Sequence, residues 1–491
     1  MHKYLTFLVL AYLLFFYSCK KETFLKDSNA RLSFSKDTIM FDTVFTTRGS
    51  ATRKLMIYNR YNSPVKISSV TLAGGIGSAF KINVDGQRDT SVVKDIELGA
   101  KDSAYIFVQV YINPTQKNAP LEVMDSIIFN LNNNIQNVKL VAWGQDVHLY
   151  KDCIIKTQTW TNDKPYLIID SIKVESSSTL TIQEGTTIYL HKDGWFKVDG
   201  NLVINGSLSN PVTFRGDRFD NLNTTPAIPY DKLPGQWGEI WIRNSSIGSK
   251  FNYTNIRNAT NGIHLGVLGQ PGNAALEISN CKIENCSYSG IFAINSNLKA
   301  NNTLVDNCGF YCFAAVVGGN YEFYQSTFAS YSGGIAALLQ NFLVYINQES
   351  NGIIDTLYFY ADLSKAYFGN CIFAGDAGPE FIAGSIPKSA SYKLNYTIDH
   401  CYIRGTSDEL LNLRIDPGKF IGTTISDSVD PGFKSLKQYE YDFRLTSKAI
   451  YLRDKGSRDV ALLYPLDYFQ QNRFADDAPD LGPFEYNGTG N

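Results

Sequence analysis

The 491 residues carry 45 Lys plus Arg against 47 Asp plus Glu, a formal net charge of −2. That balance, with no long basic run, argues against a nucleic-acid-binding face, which needs concentrated cations. The length exceeds one compact core and predicts two domains or one elongated one. Thirty Tyr and thirty Phe beside abundant Gly and Asn point to an extracytoplasmic β protein.

The chain opens "MHKYLTFLVLAYLLFFYSCKKE". Its apolar run, Tyr4 to Tyr17, is shorter than the about 20 residues that span a membrane and has the length of a secretory signal core. Ser18-Cys19 closes it, and a cysteine after a small residue resembles a bacterial lipoprotein signal. The "SCKKE" run is similar to those of Bacteroidetes lipoproteins, although Phe16 stands where an aliphatic residue is usual. The resemblance implies removal of residues 1–18, acylation of Cys19 and a lipidated tether over 19–30; two or more acyl chains anchor a protein stably. The expected partner is therefore a membrane, reached through lipid on Cys19, in an outer-membrane-anchored protein that is periplasmic or surface-exposed.

From Arg31 onward, "TIMFDTVF", "RKLMIYN", "VKISSVTL", "FKINV", "AYIFVQVYI", "DSIIFNL" and "VKLVAWG" alternate apolar and polar residues between Gly, Pro, Asn or Asp. Seven such runs with no helical period predict a β-sandwich over 31–147. The stretches "FDTVFTTRGSATRKLMIYN", "ISSVTLAGG" and "LVAWGQD" resemble immunoglobulin-like domains at the front of Bacteroidetes surface lipoproteins, and sandwich domains of ciliary and spindle-associated proteins. The segment contains no cysteine, so no inter-sheet disulfide, and no catalytic constellation.

After an expected linker at 148–165 the pattern changes to short strands with paired apolar residues: Leu180/Ile182, Ile188/Leu190, Phe196/Val198, Leu202/Ile204 and Val212/Phe214. "ISNCKIENCSYSGIFA" aligns with "ANNTLVDNCGFYCFAA" at an offset of 22, and a further 22 reach Ile335. A period in the low twenties marks a solenoid. Leu does not recur as leucine-rich repeats require; Val, Ile and Phe rotate through the inward positions instead. The expected architecture is all-β, the sandwich followed by a right-handed parallel β-helix over 166–475, with a C-terminal closing segment over 476–491. Asn suits the left-handed backbone of its corners and can stack as an amide ladder.

Equivalent residues on successive turns lie about 4.8 Å apart, so Cys286 and Cys308 should be neighbours, while Cys281, Cys371 and Cys401 share a position two before Ile283, Phe373 and Ile403. A buried structural cysteine stack is expected. A Cys286–Cys308 disulfide is the alternative, because that spacing lies within the disulfide range. Four convergent zinc ligands are absent, so no metal is expected.

"NPVTFRGDR", "LPGQWGEIWI" and "NIRNATNGI" resemble the pectin-lyase-like β-helix regions of Bacteroidetes lipoproteins, and "YDFRLTSKAI…DKG" with "PDLGPFEY" resembles their closing segment. Glu239 stands where those relatives have a second Gly, and "SKAIYLRD" replaces a Ser-Pro-Ala-Ile-Asp type segment. The resemblance implies fold and no activity.

The motifs of polygalacturonase-type enzymes are absent, and no catalytic residue or cofactor is assigned. In "QWGEIWIRN", inward Ile240 and Ile242 would turn Glu239, Trp241 and Arg243 outward on one strip. Arg257 and His264 would extend it. An indole flanked by charges suits a sugar ring, so these five residues are the candidate glycan-binding site. Residues 338–368 break the 22-residue rhythm and read as an inserted hairpin or long loops. The expected function is a non-enzymatic anchored rod for adhesion or extended-glycan binding, with a polysaccharide or another envelope protein as partner. The alternative is a polysaccharide lyase or glycoside hydrolase acting on the parallel-strand face.

Overall fold

The computed structural model describes residues 23–488 except 47–48, 90–91, 115–120, 223, 271, 349–353 and 407–416. Cys19 and the expected signal and early tether lie outside the described residues. The chain divides into two compact units, Met1–Val147 and His148–Asn491.

The first unit holds two five-stranded sheets. In spatial order, one is Ser33–Phe34, Arg53–Tyr58, Ser103–Val110, Phe80–Val84 and Gln87–Asp89. The other is Thr38–Phe45, Asn134–Gln145, Leu121–Leu131, Val65–Leu72 and Val92–Leu98. Pairing is antiparallel except between Thr38–Phe45 and Asn134–Gln145, which run parallel. Alternation explains the layers: Ala104, Ile106, Val108 and Val110 all point inward from one strand, and they join Ile127, Phe129 and Leu131 in a single core. All seven expected runs lie in strands; Ser33–Phe34, Gln87–Asp89 and Val92–Leu98 are additional.

The second unit is built on a 26-stranded sheet in which neighbours pair in parallel. Thr179–Gln183 pairs with Asn201–Asn205, that strand with Ser249–Asn252, and that in turn with Ala275–Ser279. Thr187–Leu190, Val212–Gly216, Thr254–Arg257 and Lys282–Glu284 form a second column. Trp195–Val198, Ile240–Ile242, Asn261–Leu265 and the first half of Ser289–Asn301 form a third. Each strand thus pairs with the third one after it, as in a chain wound through three strand directions per turn, a pattern compatible with a parallel β-helix. The paired apolar residues of the sequence fill its interior.

Residues 148–165 are not a linker. His148–Ile155 pairs in parallel with Tyr166–Val174, and Gln158–Trp160 with Thr179–Gln183, so this stretch is the coil's first turn. Its apolar residues Ile155 and Trp160 are buried in the coil core, which a solvated link could not offer them.

Corners are made by residues in left-handed backbone. Asn280, Asn302 and Asn370 form one column at φ of 54°, 46° and 54°, with Tyr253, Gln325 and His400 in the same position; Asn258, Asn285 and Asn307 form another. Asn tolerates this region better than other L residues because its short amide bonds locally. The amides also stack: Asn302 Nδ2 donates to Asn280 Oδ1 at 3.0 Å, and Asn280 Nδ2 to Asn252 Oδ1 at 3.1 Å.

The C-terminal segment does not simply close the end of the coil. After Thr424–Ser426 the chain runs back along its side, and Phe433, Phe443, Leu452, Tyr468, Leu481 and Phe484 pack on the outward residues Leu304, Ala329, Ile372, Ala374 and Tyr402. Outward positions there are apolar because this strap covers them. The "PDLGPFEY" run supplies its lock. Asp480 accepts the N–H groups of Asp454 and Tyr486, and Glu485 pairs with the fully buried Arg473 at 2.5 Å. The insertion at 338–368 contains a separate antiparallel hairpin, Phe342–Gln348 with Ile354–Tyr360.

Candidate functional site

The third strand column carries the candidate site. Phe196, Val198, Ile240, Ile242, Ile263 and Leu265 point into the core. Strand alternation therefore turns Lys197, Trp241, His264 and Phe292 outward, and parallel register stacks them in that order along the coil. Trp241 lies flat against His264, with centroids 5.1 Å apart and planes 12° apart, and Phe292 meets the other side of the imidazole edge-on at 5.4 Å. Trp195 approaches Trp241 at 6.0 Å, and Tyr288 continues the row to Phe310 at 4.8 Å. The Trp241 N–H donates to the Gly266 carbonyl at 2.8 Å, which fixes the indole.

Arg243 lies where the alternation places it. Its guanidinium is 5.0 Å from the Trp241 ring and 3.1 Å from Asp199. Lys197 extends over Trp195 at 5.7 Å.

Glu239 departs from expectation. It is 3% exposed and is turned into the strip rather than presented on it. The strand begins only at Ile240, so alternation does not reach its neighbour. A buried carboxylate requires partners: Glu239 accepts Asn261 Nδ2 at 2.6 Å and lies 2.8 Å from His264 Nδ1. Glu239 thus orients the imidazole, whose Nε2 is buried with no hydrogen-bond partner. Arg257 does not join the site. It belongs to the second strand column, pairs with Glu284 at 3.4 Å, and its carbonyl accepts the N–H of the buried Trp237 at 2.8 Å.

His264 occupies one face of Trp241, so an approaching ring finds its open apolar surface elsewhere, at Trp195, Tyr288 and Phe310, which are 36%, 39% and 54% exposed. These three were missed. Trp195 precedes the inward pair Phe196/Val198, and the alternation that identified Trp241 would have turned it outward as well.

The expected cysteines are all buried free thiols. Cys281, Cys371 and Cys401 share their column with Thr254, Thr303, Ser326 and Thr423. Each follows a left-handed corner, and each donates from its side chain to the carbonyl two residues before it: Cys281 at 3.2 Å, Thr303 at 2.9 Å, Ser326 at 2.9 Å and Cys401 at 3.4 Å. The thiols there act as weak hydroxyl substitutes at a corner. Among the described residues no group of three or more His, Cys, Asp or Glu could hold a metal ion, and no helix is long and apolar enough to cross a membrane.

A shallow groove of about 240 Å³ lies on the first strand column, lined by Lys250, Glu277, Asn297, Lys299, Asn320 and Glu322. Its charges satisfy one another: Lys250 pairs with Glu277 at 2.9 Å, and Glu322 with Lys365 at 3.0 Å.

No protein-family model and no curated protein matches the chain. Among solved structures, it is similar to a family 123 glycoside hydrolase from Clostridium perfringens, at 9% identity and a TM-score of 0.18 over 26% of this chain and 30% of that one. The PapD-like domain 7 of human CEP192 matches at 11% identity and a TM-score of 0.17, over 26% of this chain and 92% of the domain. A protein of unknown function from Porphyromonas gingivalis matches at 9% identity and a TM-score of 0.17, over 26% and 60%. The chain spans under a third of the length of the first of these.

Proposed function

We propose that this protein is an envelope lipoprotein of the Bacteroidetes type, anchored through Cys19, with an immunoglobulin-like domain carrying a right-handed parallel β-helix that binds extended glycans. The observation that supports the reading is the row Trp195, Trp241, His264, Phe292, Tyr288 and Phe310, in contact along one outward face. Exposed aromatic surface offers sugar C–H faces a stacking partner, while Lys197 and Arg243 offer donors to hydroxyls or carboxylates. The test is affinity electrophoresis of the mature protein through gels containing neutral or acidic polysaccharides. Retardation by at least one, lost in Trp195→Ala and Phe310→Ala, is expected; equal retardation of the variants would refute the site.

The alternative, a polysaccharide lyase or hydrolase, loses its first candidates, because Glu239 is buried and Arg257 lies on another face. New reducing or unsaturated chain ends across the same polysaccharides would revive it; none would leave binding alone.

A further inference from the structure

Three buried thiols meet inside the coil. Cys286 and Cys308 follow the left-handed corners Asn285 and Asn307 on adjacent turns. Glu284 is in register with Asp306, and the Gly309 N–H bonds the Cys286 carbonyl at 2.9 Å. Their Cα separation is therefore one strand spacing, about 4.8 Å, within the range a disulfide spans. The Cys308 sulfur interacts electrostatically with those of Cys286 and Cys312. Glycines clear the space around them: a Cβ on Gly290 would stand 3.1 Å from the Cys308 sulfur, and one on Gly262 3.3 Å from that of Cys286.

The other neighbouring pair, Cys371 and Cys401, is differently employed. The Cys401 sulfur accepts the Cys371 N–H at 3.2 Å and donates to the Phe368 carbonyl at 3.3 Å, so bridging it would strip a backbone N–H of its partner. The backbone acceptor of the Cys286 sulfur, the Glu284 carbonyl, is 3.8 Å away.

We propose that Cys286 and Cys308 form a redox-active pair that closes a disulfide between adjacent turns by exchange with a disulfide-bearing oxidant. The Cys308 thiolate attacks one sulfur of the oxidant and expels the other as a thiolate. The Cys286 thiolate then attacks the Cys308 sulfur of the mixed disulfide and releases the oxidant's remaining sulfur. Two protons and two electrons leave the pair, and the oxidant departs as two thiols. Either thiol of the pair can make the first attack, and the product is the same. All three sulfurs belong to residues with no exposure, so exchange requires the coil to be open and accompanies folding.

The test refolds the full chain from denaturant in a buffer of oxidised and reduced glutathione, blocks residual thiols with N-ethylmaleimide, and maps peptides without reduction. A peptide pair linking Cys286 to Cys308 is expected, with two fewer free thiols than after refolding in reductant. The link should vanish in Cys308→Ser and persist in Cys312→Ser. Alkylation of both Cys286 and Cys308 after oxidative refolding would overturn the proposal, as would a Cys308–Cys312 link in their place. Formation in the folded chain as fast as during refolding would overturn the requirement for an open coil.

Discussion

Replacing Arg473 by Ala tests the reading of the strap as locked by a buried arginine and its acceptors. Arg473 has no exposure; its guanidinium binds Glu485 Oε1 at 2.5 Å, Asn302 Oδ1 at 2.9 Å and the Gly482 carbonyl at 3.1 Å. The variant leaves a buried carboxyl without a counter-charge and two acceptors without a donor. Breaking a buried pair from one side costs about 3–5 kcal/mol. Glu485 already leans toward its neutral form, pushed up to about 8 by burial against the opposing effect of Arg473, so protonation limits the cost to the lower half of that range. Because a coil of stacked turns opens locally, the loss should fall on the strap. Hydrogen exchange read by mass spectrometry should quicken over residues 427–488 by roughly a hundredfold or more, at about 1.4 kcal/mol per tenfold, while Thr179–Gln183 is unaffected. Arg473→Met with Glu485→Leu should recover most of the loss, since apolar replacement of a buried pair is often neutral. An exchange change under about tenfold in the single variant would refute the assignment of Arg473 as the lock.

The strap should also respond to pH. Glu485 at about 8 and Asp480 at about 6 hold protons in the folded chain at pH values where the unfolded chain has released them, and Asp467 shifts the same way, all chiefly by burial. Folding then binds protons, so strap stability falls as pH rises through 6 and 8; limited proteolysis at pH 5.5 and pH 8.5 should show cleavage within 427–488 faster at the higher value. At the corners, Asn280→Ala places a Cβ residue without an amide at φ of 54° and removes the bonds to Asn252 and Asn302. The cost is about 2–3 kcal/mol in urea unfolding, of which Asn280→Gly should recover about 1 kcal/mol.

Much of this architecture is legible because it rests on side-chain period. Strands of four or five residues with inward pairs, and Asn at the breaks, are enough to place the core and the corners. The failures have local causes. Glu239 was assigned by alternation one residue outside a strand three residues long, where the backbone no longer alternates. The first turn carries a weaker signal because Lys151-Asp152 interrupts its apolar pattern, and the strand is irregular between Lys151 and Cys153. The strap was visible in principle: Ile372-Phe373-Ala374 and Tyr402-Ile403 are apolar on both faces, the mark of a strand covered twice. Thr303, Ser326 and Thr423, aligned with the cysteines, would have shown a corner hydrogen bond where packing alone was inferred.

The order of charges along two outward columns separates what the fold needs from what it tolerates. On the first column Lys250, Glu277, Lys299 and Glu322 alternate in register, so every charge has opposite neighbours; such pairs contribute roughly 0.2–1 kcal/mol each. On the second, Arg257 meets Glu284 but Glu284 then meets Asp306, and like charges directly opposite destabilise. Asp306 is 4% exposed, and its Oδ2 has no hydrogen-bond partner. Its raised folded-state value means that its contribution to stability declines as pH rises above the unfolded carboxylate range. Asp306→Asn removes the repulsion and the titration together. Its urea midpoint should equal or exceed that of the parent chain at pH 9, with a shallower fall between pH 5 and 9. Glu277→Gln, by contrast, should cost up to about 1 kcal/mol at both values. A destabilised Asp306→Asn would mean that the carboxyl is bonded in a way its neighbours do not reveal. A stabilised one would show that the fold tolerates the pairing of Asp306 with Glu284 rather than needing it.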